Sequence, residues 1–176
     1  MDIIAHGLYG AALCSRAGSG QAARRSLAAA AGFGVLPDIV SMWPPFVWHL
    51  VSPAHGNFFA GFDGGWLTVY RVMHSLVVSL GFCALAGLAC RSLFLPSLAW
   101  PLHVLCDMFT HGASKFRTTI FYPISSWGFD GVRWWEHPGV IAGYWTVLGV
   151  IWGARILRAR QDMRMFQASA EKPERQ

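Results

Sequence analysis

Residues 72–90 form an apolar run that carries no formal charge and is closed by Arg71 and Arg91. Its length is close to the roughly 20 residues that a helix needs to cross a hydrocarbon core of about 30 Å. Other candidate spans are 137–154 and 92–108, and 26–37 and 3–15 are shorter and weaker ones. Such runs predict helices that lie in a membrane.

The composition supports a membrane chain. Of 176 residues, 54% are hydrophobic and 13% are charged, and the mean hydropathy is +0.38. This composition is too apolar for an ordinary water-soluble domain of this length. We therefore predict an all-α fold, a polytopic membrane helical bundle of about five helices. Residues 1–158 would form one integral-membrane domain, and the basic polar tail 159–176 is expected to fray.

Two segments rich in proline, glycine and aromatic residues, 39–70 and 115–138, are predicted to be irregular loops, and long loops are often functional. Arginines concentrate in the other connections and after the last span, at Arg16, Arg24, Arg25, Arg91, Arg155, Arg158, Arg160 and Arg164. By the positive-inside rule, these arginines and the C-terminal tail are cytoplasmic. The net charge of +5 then indicates contact with anionic lipid, and no nucleic-acid partner is expected.

His103, Asp107 and His111 lie four residues apart near the end of an apolar segment. In a helix this spacing places the three side chains on one face. Two imidazoles and a carboxylate on successive turns suit zinc or another first-row divalent metal. The same spacing also occurs in simple hydrogen-bonded His/Asp pairs, so the pattern alone leaves both interpretations open.

If five helices alternate in direction, the ionisable residues inside the spans meet at one depth on the side opposite the arginines. This set comprises Asp2, His6, Asp38, His74, His103, Asp107 and His111. Ionisable groups at membrane depth are costly unless they are paired or bound to metal. The convergence therefore indicates a functional site that faces the non-cytoplasmic side.

Four motifs occur in order: Met1-Asp2-x3-His6, Leu36-Pro37-Asp38-Ile39, Arg71-x2-His74-Ser75-Leu76 and His103-x3-Asp107-x2-Thr110. This ordered set resembles the YdjM-type (DUF457) membrane-bound metal-dependent hydrolases over residues 1 to about 123. More distantly, it is similar to the zinc-dependent phospholipase C and P1 nuclease group. The chain departs from the family at Val40, where a second carboxylate is expected, and at Tyr70, where a histidine is common.

The resemblance implies a membrane-embedded hydrolase that uses metal-activated water on a phosphoester or ester of a lipid or lipid-linked substrate. The implied metal is zinc, as one or more ions. Its implied ligands are His6, Asp38, His74, His103 and Asp107. His111 is a possible additional ligand from its helical spacing alone, since the family is variable at that position. Asp107 is also expected to take part in catalysis, as is Asp2, which could be a ligand, a hydrogen-bond partner of His6 or the general base. Arg71, Lys115 and Arg117 could bind the anionic head group of a substrate, or each could instead extend its side chain to the phosphates of the surrounding lipid.

Two other functions compete with hydrolysis. Histidines on neighbouring spans, such as His74 with His103, could ligate a haem iron, although the carboxylates beside them favour a harder divalent ion. The same His/Asp set could instead relay protons in a membrane protein with no hydrolase activity.

Overall fold

The computed structural model describes residues 1–18, 20–52, 58 and 62–170, with side chains as far as residue 167. Within this part of the chain the regular structure is entirely helical. The α-helices are α1 Ile3–Leu13, α2 Gln21–Val51, α3 Gly64–Met73, α4 Leu76–Ala89, α5 Arg91–Ser97, α6 Ala99–Thr110 and α7 Pro138–Ala170, with one 3₁₀ turn at Trp134–Glu136.

The helices form a bundle of five segments, as predicted, when α3 with α4 and α5 with α6 are each counted once. Three segments are long and apolar enough to cross a membrane, and the bent α3–α4 pair is a possible fourth. The three are α2, the 20 residues of Arg91–Thr110, and α7. At 11 residues, α1 is shorter than a span and packs against α2, α6 and α7. This architecture is consistent with an integral membrane protein.

Exposed apolar side chains cover the outside of the bundle. Leu88 on α4 is 85% exposed and Val150 on α7 is 67% exposed. Contiguous apolar surface of this kind is unfavourable in water and marks contact with a membrane or another protein. The last helix continues beyond the span predicted to end near Ile156 and reaches Ala170. This extension is rich in Arg, Gln, Met and Ala, which propagate a helix at little cost; residues 171–176 lie outside the described part of the chain.

The prediction of an irregular loop over residues 39–70 is wrong at both ends. Helix α2 continues through Pro44 and Pro45 to Val51, and α3 already begins at Gly64. Each proline removes one helical hydrogen bond, yet prolines are tolerated in membrane helices because neighbouring groups satisfy the freed backbone. Before these prolines, the hydroxyl of Ser41 donates to the Pro37 carbonyl at 2.7 Å. Residues 53–57 and 59–61 of this predicted loop lie outside the described part of the chain.

The span predicted over residues 72–90 contains a break, because the helix axis bends by 56° between α3 and α4. The bend lies at His74 and Ser75. Ser75 caps α4 by accepting from the Val78 amide, and its hydroxyl donates to the Tyr122 carbonyl at 2.5 Å. The Leu76 amide donates to the Ile120 carbonyl at 2.9 Å. The segment that follows α6 therefore supplies the partners that a continuous helix would have supplied.

Glycines bring α1 unusually close to α2. A Cβ atom on Gly34 would lie 2.6 Å from the His6 carbonyl oxygen, and one on Gly10 would lie 2.7 Å from the Ala30 carbonyl oxygen. Small residues allow this approach, which is how membrane helices pack where the hydrophobic effect between them is weak. The contact places His6 of α1 against the middle of α2.

Candidate metal centre

His103 and Asp107 occupy one face of α6, as their spacing predicts. Each is 1% exposed, and His103 Nε2 lies 3.2 Å from Asp107 Oδ2. The polar face of this apolar helix therefore points into the bundle and away from its outer surface.

Asp38 comes from α2, directly after Pro37. Proline cannot donate to the carbonyl four residues earlier and crowds that turn of the helix. In the same turn, the Gly34 carbonyl accepts a hydrogen bond from His103 Nδ1 at 2.7 Å. Helix α2 thus contributes both a carboxylate and the acceptor that orients His103. The Asp38 side chain is 19% exposed, so solvent can reach the site at this residue.

His74 lies at the bend between α3 and α4 and is fully buried. Its Nδ1 donates to the Tyr70 carbonyl at 2.9 Å. The Tyr70 ring stacks on the imidazole with 4.1 Å between centroids, and the Tyr70 hydroxyl donates to the Phe116 carbonyl at 2.9 Å. The backbone carbonyl and the ring of Tyr70 therefore both orient His74.

Asp38, His74, His103 and Asp107, hereafter the Asp/His group, offer four donor atoms within 4.8 Å of one another. The two Nε2 atoms are 3.2 Å apart. His74 Nε2 lies 3.4 Å from both Asp38 Oδ1 and Asp107 Oδ2. His103 Nε2 lies 3.7 Å from Asp38 Oδ1.

These distances fit a tetrahedral divalent ion. With metal–donor distances of about 2.0–2.2 Å, neighbouring ligand atoms of a tetrahedral site lie about 3.3–3.6 Å apart. A carbonyl oxygen can only accept a hydrogen bond, so the Nδ1 atoms of His74 and His103 both carry a hydrogen. Each neutral imidazole then keeps a lone pair on Nε2. Two lone pairs and two carboxylate oxygens converge, and such a set requires a cation or shared protons between them.

Asp107 Oδ1 faces away from this group. It accepts from the amino group of Met1 at 2.7 Å and from His6 Nε2 at 2.8 Å. The His6 ring also stacks on His103 with 3.6 Å between centroids. His6 therefore contacts Asp107 and His103 from outside the Asp/His group and is not one of its four donors.

The structure places Asp2 at the contact between α1 and α7. Asp2 Oδ1 accepts from the Ala5 amide at 2.8 Å and caps α1, and Oδ2 accepts from the Tyr144 hydroxyl at 2.6 Å. Both oxygens therefore have partners away from the His6 imidazole. This position favours a structural role over that of a base or of a hydrogen-bond partner of His6.

The other predicted site residues surround the same end of the bundle. His111 follows α6, with Nδ1 3.4 Å from Asp107 Oδ1 and 3.3 Å from the Asp107 carbonyl oxygen. Arg71 lies in the last turn of α3, one turn before His74. Lys115 and Arg117 belong to the segment after α6, whose residues 120 and 122 bind the α3–α4 bend.

Several groups that shape the site were missed from the sequence. They are the carbonyls of Gly34 and Tyr70, the Met1 amino group and the Tyr144 hydroxyl. A backbone carbonyl has no sequence signature, so nothing in the sequence identified Gly34 and Tyr70 as acceptors for the two histidines.

Comparisons of the chain with protein-family models, with curated proteins and with solved structures found no match.

Proposed function

We propose that this protein is a membrane-embedded, metal-dependent hydrolase that acts on a phosphoester or ester of a lipid or lipid-linked substrate. The observation that supports a metal is the orientation of the two imidazoles. Backbone carbonyls accept from both Nδ1 atoms, so both Nε2 lone pairs point at the carboxylates of Asp38 and Asp107. Carbonyl-bound histidines beside carboxylates are typical of divalent-metal sites.

A bound divalent ion, with zinc the best fit to this donor set, would act as a Lewis acid and make nearby water more acidic. Asp38, His74, His103 and Asp107 would hold it. Asp38 would also admit water and substrate, since its side chain reaches the surface. His6 would position Asp107 and His103, and Asp2 would position α1 against α7. This arrangement agrees with the family that the sequence motifs resemble, with His6 acting through other residues.

The substrate class follows from location and charge. The Asp/His group belongs to helices that could cross a membrane, so a substrate with an apolar chain can reach it from the bilayer. Arg71, Lys115 and Arg117 lie at the same end, and cations of this kind favour a phosphate or another anionic head group. The site would face the non-cytoplasmic side, with the α7 tail in the cytoplasm.

Elemental analysis of the purified full chain tests the metal. We expect a stoichiometric divalent ion in the wild type and in His111→Ala, which alters a neighbour outside the Asp/His group. We expect loss of the ion in His103→Ala and Asp107→Asn. Unchanged metal in both of these variants would refute the site. Metal-loaded protein is then assayed with phospholipids, lipid-linked phosphomonoesters and carboxylic esters, and hydrolysis should disappear in the same two variants.

A proton relay is the second candidate, and the 3.2 Å separation of His74 Nε2 from His103 Nε2 favours it. At that distance the two nitrogens can share a hydrogen bond, and both carboxylates lie within 3.7 Å. Wild-type protein that carries no ion after gentle purification would support the relay over the hydrolase. The haem interpretation is disfavoured, because carboxylate oxygens lie where a macrocycle between the two rings would have to fit.

A further inference from the structure

A cleft of about 210 Å³ opens at the end of the bundle opposite the Asp/His group. It lies between the turn after α1, the first turns of α2 and the start of α5. Its lining includes Arg16, Ala22, Arg25, Ala29, Ser92 and Leu93. Two guanidinium groups and a hydroxyl thus adjoin small and apolar side chains in one concave surface, hereafter the arginine cleft.

The chain holds the arginine cleft in a defined shape. The Arg16 amide donates to the Ser26 hydroxyl at 2.9 Å, and Ser26 is 6% exposed. This contact fixes the turn that carries Arg16 against the second turn of α2. Ala22, Arg25 and Ala29 follow at helical spacing on one face of α2. The two alanines leave the space between the arginines and α5 open.

The positive charge of the arginine cleft has no acidic partner within the described part of the chain. Among the described residues, no carboxylate lies within ion-pair distance of Arg16 or Arg25.

If the candidate spans cross a membrane, the arginine cleft lies at the depth of the lipid head groups. Candidate spans begin at Gln21 and Arg91, and both starting turns line the cleft. Asp38 is 13 residues beyond Arg25, which corresponds to about 20 Å at 1.5 Å per residue. The cleft is therefore separate from the Asp/His group.

We infer that the arginine cleft binds the phosphate of an anionic phospholipid, with Arg16 and Arg25 on the phosphate oxygens and the lipid chain along Ala29 and Leu93. Arginine presents a planar set of donors that matches a phosphate. The apolar side of the cleft favours a lipid over free phosphate. The site serves attachment to the cytoplasmic leaflet and is independent of the proposed hydrolysis.

Native mass spectrometry of the detergent-purified full chain with phosphatidylglycerol and phosphatidylcholine tests the inference. Wild type should retain phosphatidylglycerol preferentially. Arg16→Gln with Arg25→Gln should reduce that retention about tenfold or more. Ala29→Leu should also reduce it, because the larger side chain fills the cleft while all charges remain. Arg24→Gln with Arg158→Gln removes the same charge outside the cleft and should retain the lipid as wild type does.

Three outcomes would overturn the inference. These are equal retention of the two lipids by wild type, an equal loss in both double variants, and displacement of phosphatidylglycerol by millimolar inorganic phosphate, which would show a free-phosphate site. Melting temperature and metal content are measured for every variant to detect misfolding. Loss of lipid with normal metal content is expected, so failure here is distinguishable from failure of the proposed hydrolase.

Discussion

At the scale of single residues, the two oxygens of Asp107 have different partners. Oδ1 accepts from the Met1 amino group and from His6, whereas Oδ2 lies 3.2 Å from His103 Nε2 and 3.4 Å from His74 Nε2. One buried carboxylate therefore joins the start of the chain to the Asp/His group. Folding and metal binding are expected to depend on it together.

Asp107→Asn should destabilise the protein as well as remove the metal. The substitution keeps the shape of the side chain but leaves the Met1 amino group without its buried counter-charge. Removing one partner of a buried ion pair costs about 3–5 kcal/mol. Denaturant unfolding of the metal-free protein measures the loss of stability. Metal-free His103→Ala is the comparison, because this substitution leaves the Met1 amino group paired with Asp107. Equal stability of wild type and Asp107→Asn would contradict the role assigned to Oδ1.

His6→Ala distinguishes a positioning residue from a ligand. If His6 only orients Asp107 and His103, metal affinity should fall about 10–100-fold while the number of ions at saturation stays unchanged. Isothermal titration with zinc measures both quantities, and Tyr144→Phe, which alters a contact of Asp2, is the control. A lower number of bound ions in His6→Ala would instead make His6 a ligand, as the family resemblance implies.

At the scale of helices, irregularities place the four donors. Pro37 lies in the turn of α2 where the Gly34 carbonyl accepts from His103, and the bend between α3 and α4 turns His74 inward. Two of the four donors therefore come from places where a helix departs from ideal geometry.

Gly34→Ala should separate α1 from α2. The added Cβ would lie 2.6 Å from the His6 carbonyl oxygen, which is backbone and can move only with the helix. Overpacking of this kind costs about 1–3 kcal/mol, and the shift should also weaken metal binding through His6. Gly32→Ala is the matched control, because nothing lies within 4 Å of its new Cβ and alanine favours the helix by about 1 kcal/mol. Similar melting temperatures for the two variants would argue against close packing at Gly34.

At the scale of the whole molecule, charge is divided between the two ends of the bundle. Arginines cluster at the starts of α2 and α5 and along the end of α7, and the Asp/His group lies toward the other end. From Arg91 to Asp107 the rise is about 24 Å, slightly less than a hydrocarbon core of about 30 Å. The Asp/His group would therefore lie just inside one membrane boundary when the arginines occupy the other.

Thiol labelling in intact and permeabilised cells tests this orientation. Cys90 is exposed at the arginine end, so a membrane-impermeant maleimide should label it only after permeabilisation. Ser126→Cys in a Cys90→Ser background places an exposed thiol in the segment after α6 and should react in intact cells. Labelling of both positions from one side would contradict the topology.

The sequence by itself determined the bundle of apolar helices, because long charge-free runs favour helices that could cross a membrane, and the His103/Asp107 face, because helical spacing is local. It also brought Asp38 and His74 to the same end through the direction of the helices. Only the tertiary structure decided that α2 continues through its prolines, that His74 lies at a bend, and that Asp2 faces Tyr144. These outcomes depend on which carbonyls and hydroxyls of distant segments form hydrogen bonds with each group. Such long-range hydrogen bonds produce no periodic pattern in the sequence.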